Sequence, residues 1–246
     1  MLNIESLTSS IFWGVAHVLH ERAFSTICFA SSPMDMAPKM KIYKIPNEDE
    51  VERTNKIQKD LFNKTVDFFD PPLQKGVPER LEQIVAAAEI SKGDWVLDIG
   101  TGTGILVPLI RKYEPGKIFA CDLVEAMLAR LKEHYPYAET LLGDARDLTL
   151  PDESIDVVFM NAVYPNIADK GAVFNNMSRT LKTGGRMVIS HPMGKSFIDK
   201  LRKGAPFPLD DFPEEPEAET LLAPYGLEIT IFVDEPELYI LVAVKT

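Results

Sequence analysis

The strongest constraint on this chain's fold is a rhythm. From residue 95 to residue 190, short β-branched runs alternate with stretches of helical periodicity. Strands are expected at Trp95–Ile99, 117–121, Glu139–Leu142, 155–160 and 186–190, with helices near 105–112, 124–135, 170–181 and 195–203. Alternation of this kind predicts a parallel sheet with helices on both faces. The unbroken apolar run Val157-Val158-Phe159-Met160 fits a strand buried on both sides. The end of the chain differs. Residues 227–233 and 238–244 read as two strands joined across Asp234-Glu235-Pro236, close enough for a hairpin.

The segment before this core reads as helical. Residues 47–70 carry Val51, Ile57, Leu61, Val66 and Phe69 at helical spacing among charged residues, stopped by Pro71 and Pro72. A second helix is expected over 78–88, with Pro78 in its first turn. The first forty residues stand apart. An amphipathic helix carrying Ile4, Leu7, Ile11, Phe12, Val15, Val18 and Leu19 leads into a small and polar stretch. Glu5 is the only charge before Ile11, which fits a secretory signal poorly. An organelle targeting segment, or an extension upstream of a start at Met34, Met36 or Met40, stays open. The division expected is an appendage over 1–40 and one domain over 41–246, in the cytoplasm unless the appendage targets an organelle.

Composition excludes several classes. Apolar residues make up 46% of the 246, enough for a large core rather than a disordered polymer. Two cysteines, Cys28 and Cys121, are too few for a disulfide scaffold. With four scattered histidines they leave no metal site to predict; His17 and His20 share a helix face without a third ligand. Acidic residues outnumber basic ones 37 to 26, a net charge of −11, which argues against nucleic acid as partner. No apolar run reaches 18 residues, so no membrane span is expected.

The richest segment is Asp98-Ile99-Gly100-Thr101-Gly102-Thr103-Gly104, between the first strand and its helix. Open α/β sheets bind ligands at such strand ends, and glycine lets a ligand approach the backbone. A dinucleotide fingerprint would need glycine or alanine where Ile105 or Val107 stands. A phosphate-binding loop would need a lysine, and none follows Gly104. Two more acids end neighbouring strands: Asp122, 24 positions after Asp98, and Asp144 in Leu142-Gly143-Asp144-Ala145. A strand-end carboxylate such as Asp122 suits ribose hydroxyls. Further on, Leu181-Lys182-Thr183-Gly184-Gly185-Arg186 precedes the fifth strand.

Together these motifs closely resemble the class I S-adenosylmethionine-dependent methyltransferases, nearest the small-molecule enzymes of ubiquinone and menaquinone biosynthesis. Thr183 replaces that subgroup's usual proline. The resemblance implies a Rossmann-like three-layer sandwich, α/β, with a seven-stranded mostly parallel sheet and an antiparallel last strand. It implies S-adenosyl-L-methionine as cofactor and a small molecule as methyl acceptor. It assigns cofactor binding to Asp98, Gly100, Thr101, Gly102, Gly104, Asp122, Leu123, Asp144, Ala145 and Asn161. Asp144 would take the adenine amino group, and Asp98 would lie near the cofactor's ammonium or its loop. Two catalytic candidates follow the fourth and fifth strands. Tyr164 could face the sulfonium or orient a substrate; Asn161 and Tyr164 share the spacing of a nitrogen-methylating motif whose prolines are absent. His191 could act as general base, since its pKa lies near working pH. The rivals are a non-catalytic cofactor-binding module and an NAD-dependent oxidoreductase. The acidic, proline-rich stretch 209–219 is expected to be a solvated loop.

Overall fold

The computed structural model describes residues 46–70 and 72–246. The expectations for the first forty residues, and the stop assigned to Pro71, lie outside these. Seven strands form one sheet in the order β3-β2-β1-β4-β5-β7-β6. They are β1 (Trp95–Ile99), β2 (Lys117–Asp122), β3 (Glu139–Leu142), β4 (Ile155–Asn161), β5 (Leu181–His191), β6 (Leu227–Glu235) and β7 (Leu238–Lys245). β1 pairs in parallel with β2 and β4, β2 with β3, and β4 with β5. β7 alone runs antiparallel, wedged between β5 and β6. The sequence expectation of a mostly parallel seven-stranded sheet with an antiparallel last strand is met.

Helices cover both faces, which explains why the strands read as apolar throughout. Alternate residues of each strand feed two separate cores. Leu97, Ile99, Val158, Met160 and Ile189 face one, packed by Val173, Phe174 and Met177 of α5 (Lys170–Thr180). Val96, Val157, Phe159 and Val188 face the other. There they meet α2 (Val77–Ala87), α3 (Val107–Arg111) and α4 (Glu125–His134) through Leu81, Ile84, Ile110 and Leu131. Each such side chain, fully buried, contributes about 1.5–3 kcal/mol. Removal from water on both faces is the main force holding the sheet.

Local chemistry sets the ends of the elements. α1 (Glu48–Thr65) begins at Asn47, whose side chain accepts the Glu50 amide at 2.9 Å. β5 is longer than expected. Its register jumps from Leu181 opposite Ile155 to Arg186 opposite Val157. The Gly184-Gly185 turn is therefore an irregularity inside the strand rather than a linker before it.

The acidic stretch is where the structure departs most from the sequence reading. It holds α7 (Glu215–Leu222), after α6 (Gly194–Arg202). Pro216 occupies the first turn beside Glu215 and Glu217, where proline costs no hydrogen bond and acids meet the positive helix end. Ala218 and Leu222, four apart, are fully buried, and Phe212 is 3% exposed. Charge outweighed two well-spaced apolar residues in the sequence reading. In the fold those residues pin the segment to the sheet.

Candidate active site

A cleft of about 250 Å³ opens at the carboxyl ends of β1, β2, β3 and β4. Its floor is the β1–α3 turn. Gly100 adopts φ +64°, and a Cβ there would come within 2.3 Å of Val163 Cγ2. Any side chain would therefore clash as well as strain the backbone. Gly102 differs. At φ +56° it has no protein atom within 4 Å of a built Cβ, and it lines the cleft. Backbone conformation, not crowding by the protein, calls for glycine there.

Asp122 ties this turn to β2. Its Oδ2 accepts the Gly102 amide at 2.9 Å and its Oδ1 accepts the Val124 amide at 2.9 Å. Each oxygen keeps a lone pair, and the residue lines the cleft. Burial raises its pKa, while these backbone hydrogen bonds oppose the rise. Asp144 is more fully engaged. Oδ1 accepts the Arg146 amide at 3.0 Å, and Oδ2 accepts Arg146 Nε at 2.9 Å and Asn55 Nδ2 at 2.7 Å. One lone pair on Oδ1 remains for a ligand.

The cleft lining brings together eight of the expected residues: Gly100, Thr101, Gly102, Asp122, Leu123, Asp144, Ala145 and Asn161. Asn161 is oriented by Ser190, whose hydroxyl donates to Oδ1 at 3.1 Å. Next to it, Ala162 takes φ +57°, a conformation costing a non-glycine residue about 1–2 kcal/mol; its amide donates to Ser190 O at 2.8 Å.

Two expected residues stand behind the lining. Asp98 is 2% exposed, and its Oδ2 accepts the Thr101 hydroxyl at 2.7 Å. It braces the turn rather than reaching the cleft. Burial pushes its carboxyl up to about 7; the Thr101 hydrogen bond opposes this and the Asp122 charge adds to it. A Cβ at Gly104 would come within 2.9 Å of Leu131 and 3.0 Å of Tyr135, so that glycine serves the packing of α4.

Both catalytic candidates fall away from the cleft lining, which corrects the sequence reading. Tyr164 is fully buried. Its ring stacks on Phe212 and Phe174, with centroids 5.4 and 6.4 Å away, and Lys170 Nζ lies 4.7 Å from its centroid. A 3-10 turn over Tyr164–Asn166 carries the ring into the core. His191 is 4% exposed, and its Nδ1 accepts the Met193 amide at 3.1 Å. Burial lowers its pKa to about 4, so the ring is neutral near pH 7. With Nδ1 accepting, the proton sits on Nε2. A neutral ring holding its proton there has no base to offer. Its chain neighbour Pro192 lines the cleft instead.

The structure adds a wall with no motif behind it. Val51, Asn55, Gln58 and Phe62 of α1 line the cleft, joined by Phe69. Their spacing of four, three and four puts them on one helix face. That face is latched by polar contacts: Gln58 Nε2 to Asn166 O at 2.7 Å, Thr103 Oγ1 to Phe69 O at 3.0 Å, and Arg146 to Glu48 at 3.1 Å. Arg130 holds Asp67 at 2.7 Å and also pairs with Asp70. A sequence signal existed: two amides, Asn55 and Gln58, interrupt an otherwise apolar stripe.

Comparison with known proteins agrees with this geometry. Residues 97–189 match the family described as a methyltransferase domain. A malonyl-[acyl-carrier protein] O-methyltransferase of Methylococcus capsulatus is 32% identical over 111 residues, 44% of this chain and 40% of that protein. A demethylmenaquinone methyltransferase of Symbiobacterium thermophilum is 30% identical over 158 residues, 59% of this chain and 62% of that protein. The chain thus spans between 40% and 62% of the length of these curated relatives. Among solved structures, a chain of the complex between the Haloferax volcanii Trm112 methyltransferase activator and the putative methyltransferase superposes with TM-score 0.63 at 19% identity. The match covers 76% of this chain and 96% of that one. An S-adenosylmethionine-dependent methyltransferase from Aquifex aeolicus gives 0.57 at 20% identity, covering 75% and 98%. At such identities the likeness concerns the fold. Residues 97–189 of this chain therefore match a methyltransferase domain, set in the fold shared with the S-adenosylmethionine-dependent methyltransferase from Aquifex aeolicus.

Proposed function

We propose that this protein transfers a methyl group from S-adenosylmethionine to a small-molecule acceptor. The observation that carries the reading is the pairing of Gly102 and Asp122 at the cleft floor. It leaves an open glycine beside a carboxylate with free lone pairs, at adjacent strand ends. The donor set fits the cofactor: Asp122 for the ribose hydroxyls, the lone pair of Asp144 Oδ1 with the Ala145 backbone for adenine, and Gly100 to Gly102 with Thr101 and Asn161 for the methionine part. Leu123 would pack beside the ribose. Asp98 and Gly104 hold this cradle in shape from behind.

When bound, the cofactor supplies a methyl on a positively charged sulfur, already electrophilic. What remains for the chain is to align an acceptor, exclude water and leave a route for a proton. The titratable side chains lining the cleft are Asp122, Asp144, Arg146, Asp169 and Cys121. Asp122 and Asp144 hold backbone amides, and Asp169 Oδ1 caps α5 through the Ala172 amide at 3.0 Å. Burial and neighbouring acids push the Cys121 thiol far up, so it stays protonated. Catalysis here is positioning. The proton of an O–H or N–H acceptor leaves to water through the open mouth of the cleft.

The excess of acid over base supports an acceptor other than nucleic acid. Among the described residues no helix is long and apolar enough to cross a membrane. A cytoplasmic location is part of this proposal, and fractionation of the tagged chain checks it. Calorimetry with S-adenosylhomocysteine and with NAD tests the cofactor. Micromolar uptake of the first and none of the second is expected; the reverse order would overturn the reading in favour of a dehydrogenase.

A further inference from the structure

The two amides of α1 face different parts of the cleft. Along the carboxyl edge of the sheet the order is β3, β2, β1, β4. Asn55 donates to Asp144, just after β3, while Gln58 donates to Asn166 O in the turn after β4. The cofactor donors proposed above occupy the β3, β2 and β1 ends and reach Asn161, the last residue of β4; Asn166 lies five residues further on, in the turn after β4. Gln58 stands beyond them, where an acceptor would sit.

Gln58 is 4% exposed, an expensive place for an amide with an unused group. Its Nε2 must point at Asn166 O, because a carbonyl accepts only from the nitrogen side. That bond fixes which way the amide faces. Oε1 has no donor among the described residues, yet it is not sealed in. Gln58 itself lines the cleft. Phe62 and Phe69, in edge contact at 5.8 Å, line the same cleft with Val163 and Ile167; the polar residues at this end are Asn166 and Asp169, whose Oδ1 caps α5. Phe69 remains 42% exposed, so an aromatic surface is available to a flat partner.

We propose that Gln58 selects the methyl acceptor, taking a hydrogen bond on Oε1 from the O–H or N–H of an uncharged, largely apolar, ring-sized molecule lying against Phe62 and Phe69. This deepens the methyltransferase reading and rests on it. A molecule of the same shape without the donor would leave Oε1 desolvated and unpaired. A buried site built for a donor rejects the analogue lacking it.

The test uses the full chain saturated with S-adenosylhomocysteine and two probes of like shape, 2-naphthol and 2-methylnaphthalene, compared by calorimetry. Wild type is expected to favour the naphthol by about tenfold, the effect of one net hydrogen bond. In Gln58→Leu the preference collapses to about onefold, while uptake of S-adenosylhomocysteine is unchanged. Gln58→Met, closer in length, serves where the leucine variant fails to fold. The readout is a ratio within one protein, so loss of folded material cannot imitate it. Equal affinity in wild type, a preference that survives both substitutions, or no binding of either probe overturns the assignment. Failure of wild type to take up S-adenosylhomocysteine is a separate result, and it overturns the methyltransferase reading itself.

Discussion

Replacing Asp98 by asparagine should stabilise the protein, and only above mild acidity. Asp98 is buried at the end of β1 with the Thr101 hydroxyl on Oδ2. Its carboxyl stands at about 7 in the fold against 3.8 in the unfolded chain. A carboxyl raised by folding holds its proton more tightly in the native state. Below 3.8 both states are protonated and the group is neutral to stability. As pH rises from 3.8 to about 7 the unfolded chain ionises first, and stability is lost. Each pH unit of that interval is worth about 1.4 kcal/mol, so the full cost above pH 7 is about 4 kcal/mol. Asparagine keeps an oxygen for Thr101 and never ionises. Urea unfolding of both proteins from pH 4.5 to 8 yields a difference curve in which groups common to the two cancel. His191 has the opposite sign, since its lowered pKa removes stability as pH falls from 6.5 toward 4, and it too drops out. The variant should match wild type near pH 4.5 within about 1 kcal/mol, by the spread usual for buried polar exchanges. By pH 8 it should be more stable by about 4 kcal/mol. A flat difference curve, or a variant less stable at pH 8, refutes the assignment of a costly buried charge to Asp98.

Three other substitutions address separate parts of the site. Asp122→Ala should weaken S-adenosylhomocysteine binding by about 1.5–3 kcal/mol, the loss of hydrogen bonds to a charged acceptor; calorimetry that finds affinity unchanged removes Asp122 from the ribose site. Gly100→Ala places a Cβ 2.3 Å from Val163 Cγ2 at φ +64°, so melting should report a loss of about 2–4 kcal/mol. Val163→Ala added to it should recover part of that loss, and no recovery would locate the strain in the backbone alone. His191→Phe should leave the acidic limb of the pH–rate profile where it is in wild type, because the ring is neutral across the working range; a shifted limb would restore His191 as a proton carrier.

The sheet was legible because each βα repeat declares itself locally. A β-branched run bounded by glycine or proline reads the same whatever it packs against, and β3 was found to the residue. The glycine turn was legible for a similar reason: Gly100, Thr101 and Gly102 meet a requirement of their own backbone. Tyr164 and His191 were misplaced because strand-end position says nothing about which way a side chain turns. A 3-10 turn after β4 swings Tyr164 under Phe212. His191 is the last residue of β5, and its Nδ1 is taken by the Met193 amide two residues on. The helix Glu215–Leu222 was hidden by composition. Six acids between 210 and 219 mask the spacing of Ala218 and Leu222, though only the apolar pair decides where the segment packs.

These misreadings share a cause that bears on the acceptor. Residues 97–189, the part matched to the family, supply the floor of the cleft: the glycine turn, Asp122 and Asp144. The opposite wall is built from Asn55, Gln58, Phe62 and Phe69, all upstream of that segment, and Pro192 lies beyond its other end. A further layer stands behind this wall: Phe207 meets Phe62 edge-on at 6.2 Å, and Asp210, paired with Lys170, donates its amide to Pro165 O at 3.0 Å. A floor that must fit one invariant nucleoside is constrained by backbone geometry, which motifs record. A wall that must fit the acceptor is constrained only by the acceptor's shape and its hydrogen-bonding group, and side chains on a helix face can change without disturbing the floor. Relatives that share the turn can therefore differ in what they methylate, and in the proposal made above the choice of acceptor falls to the amide of Gln58 and the two phenylalanines that line the cleft with it.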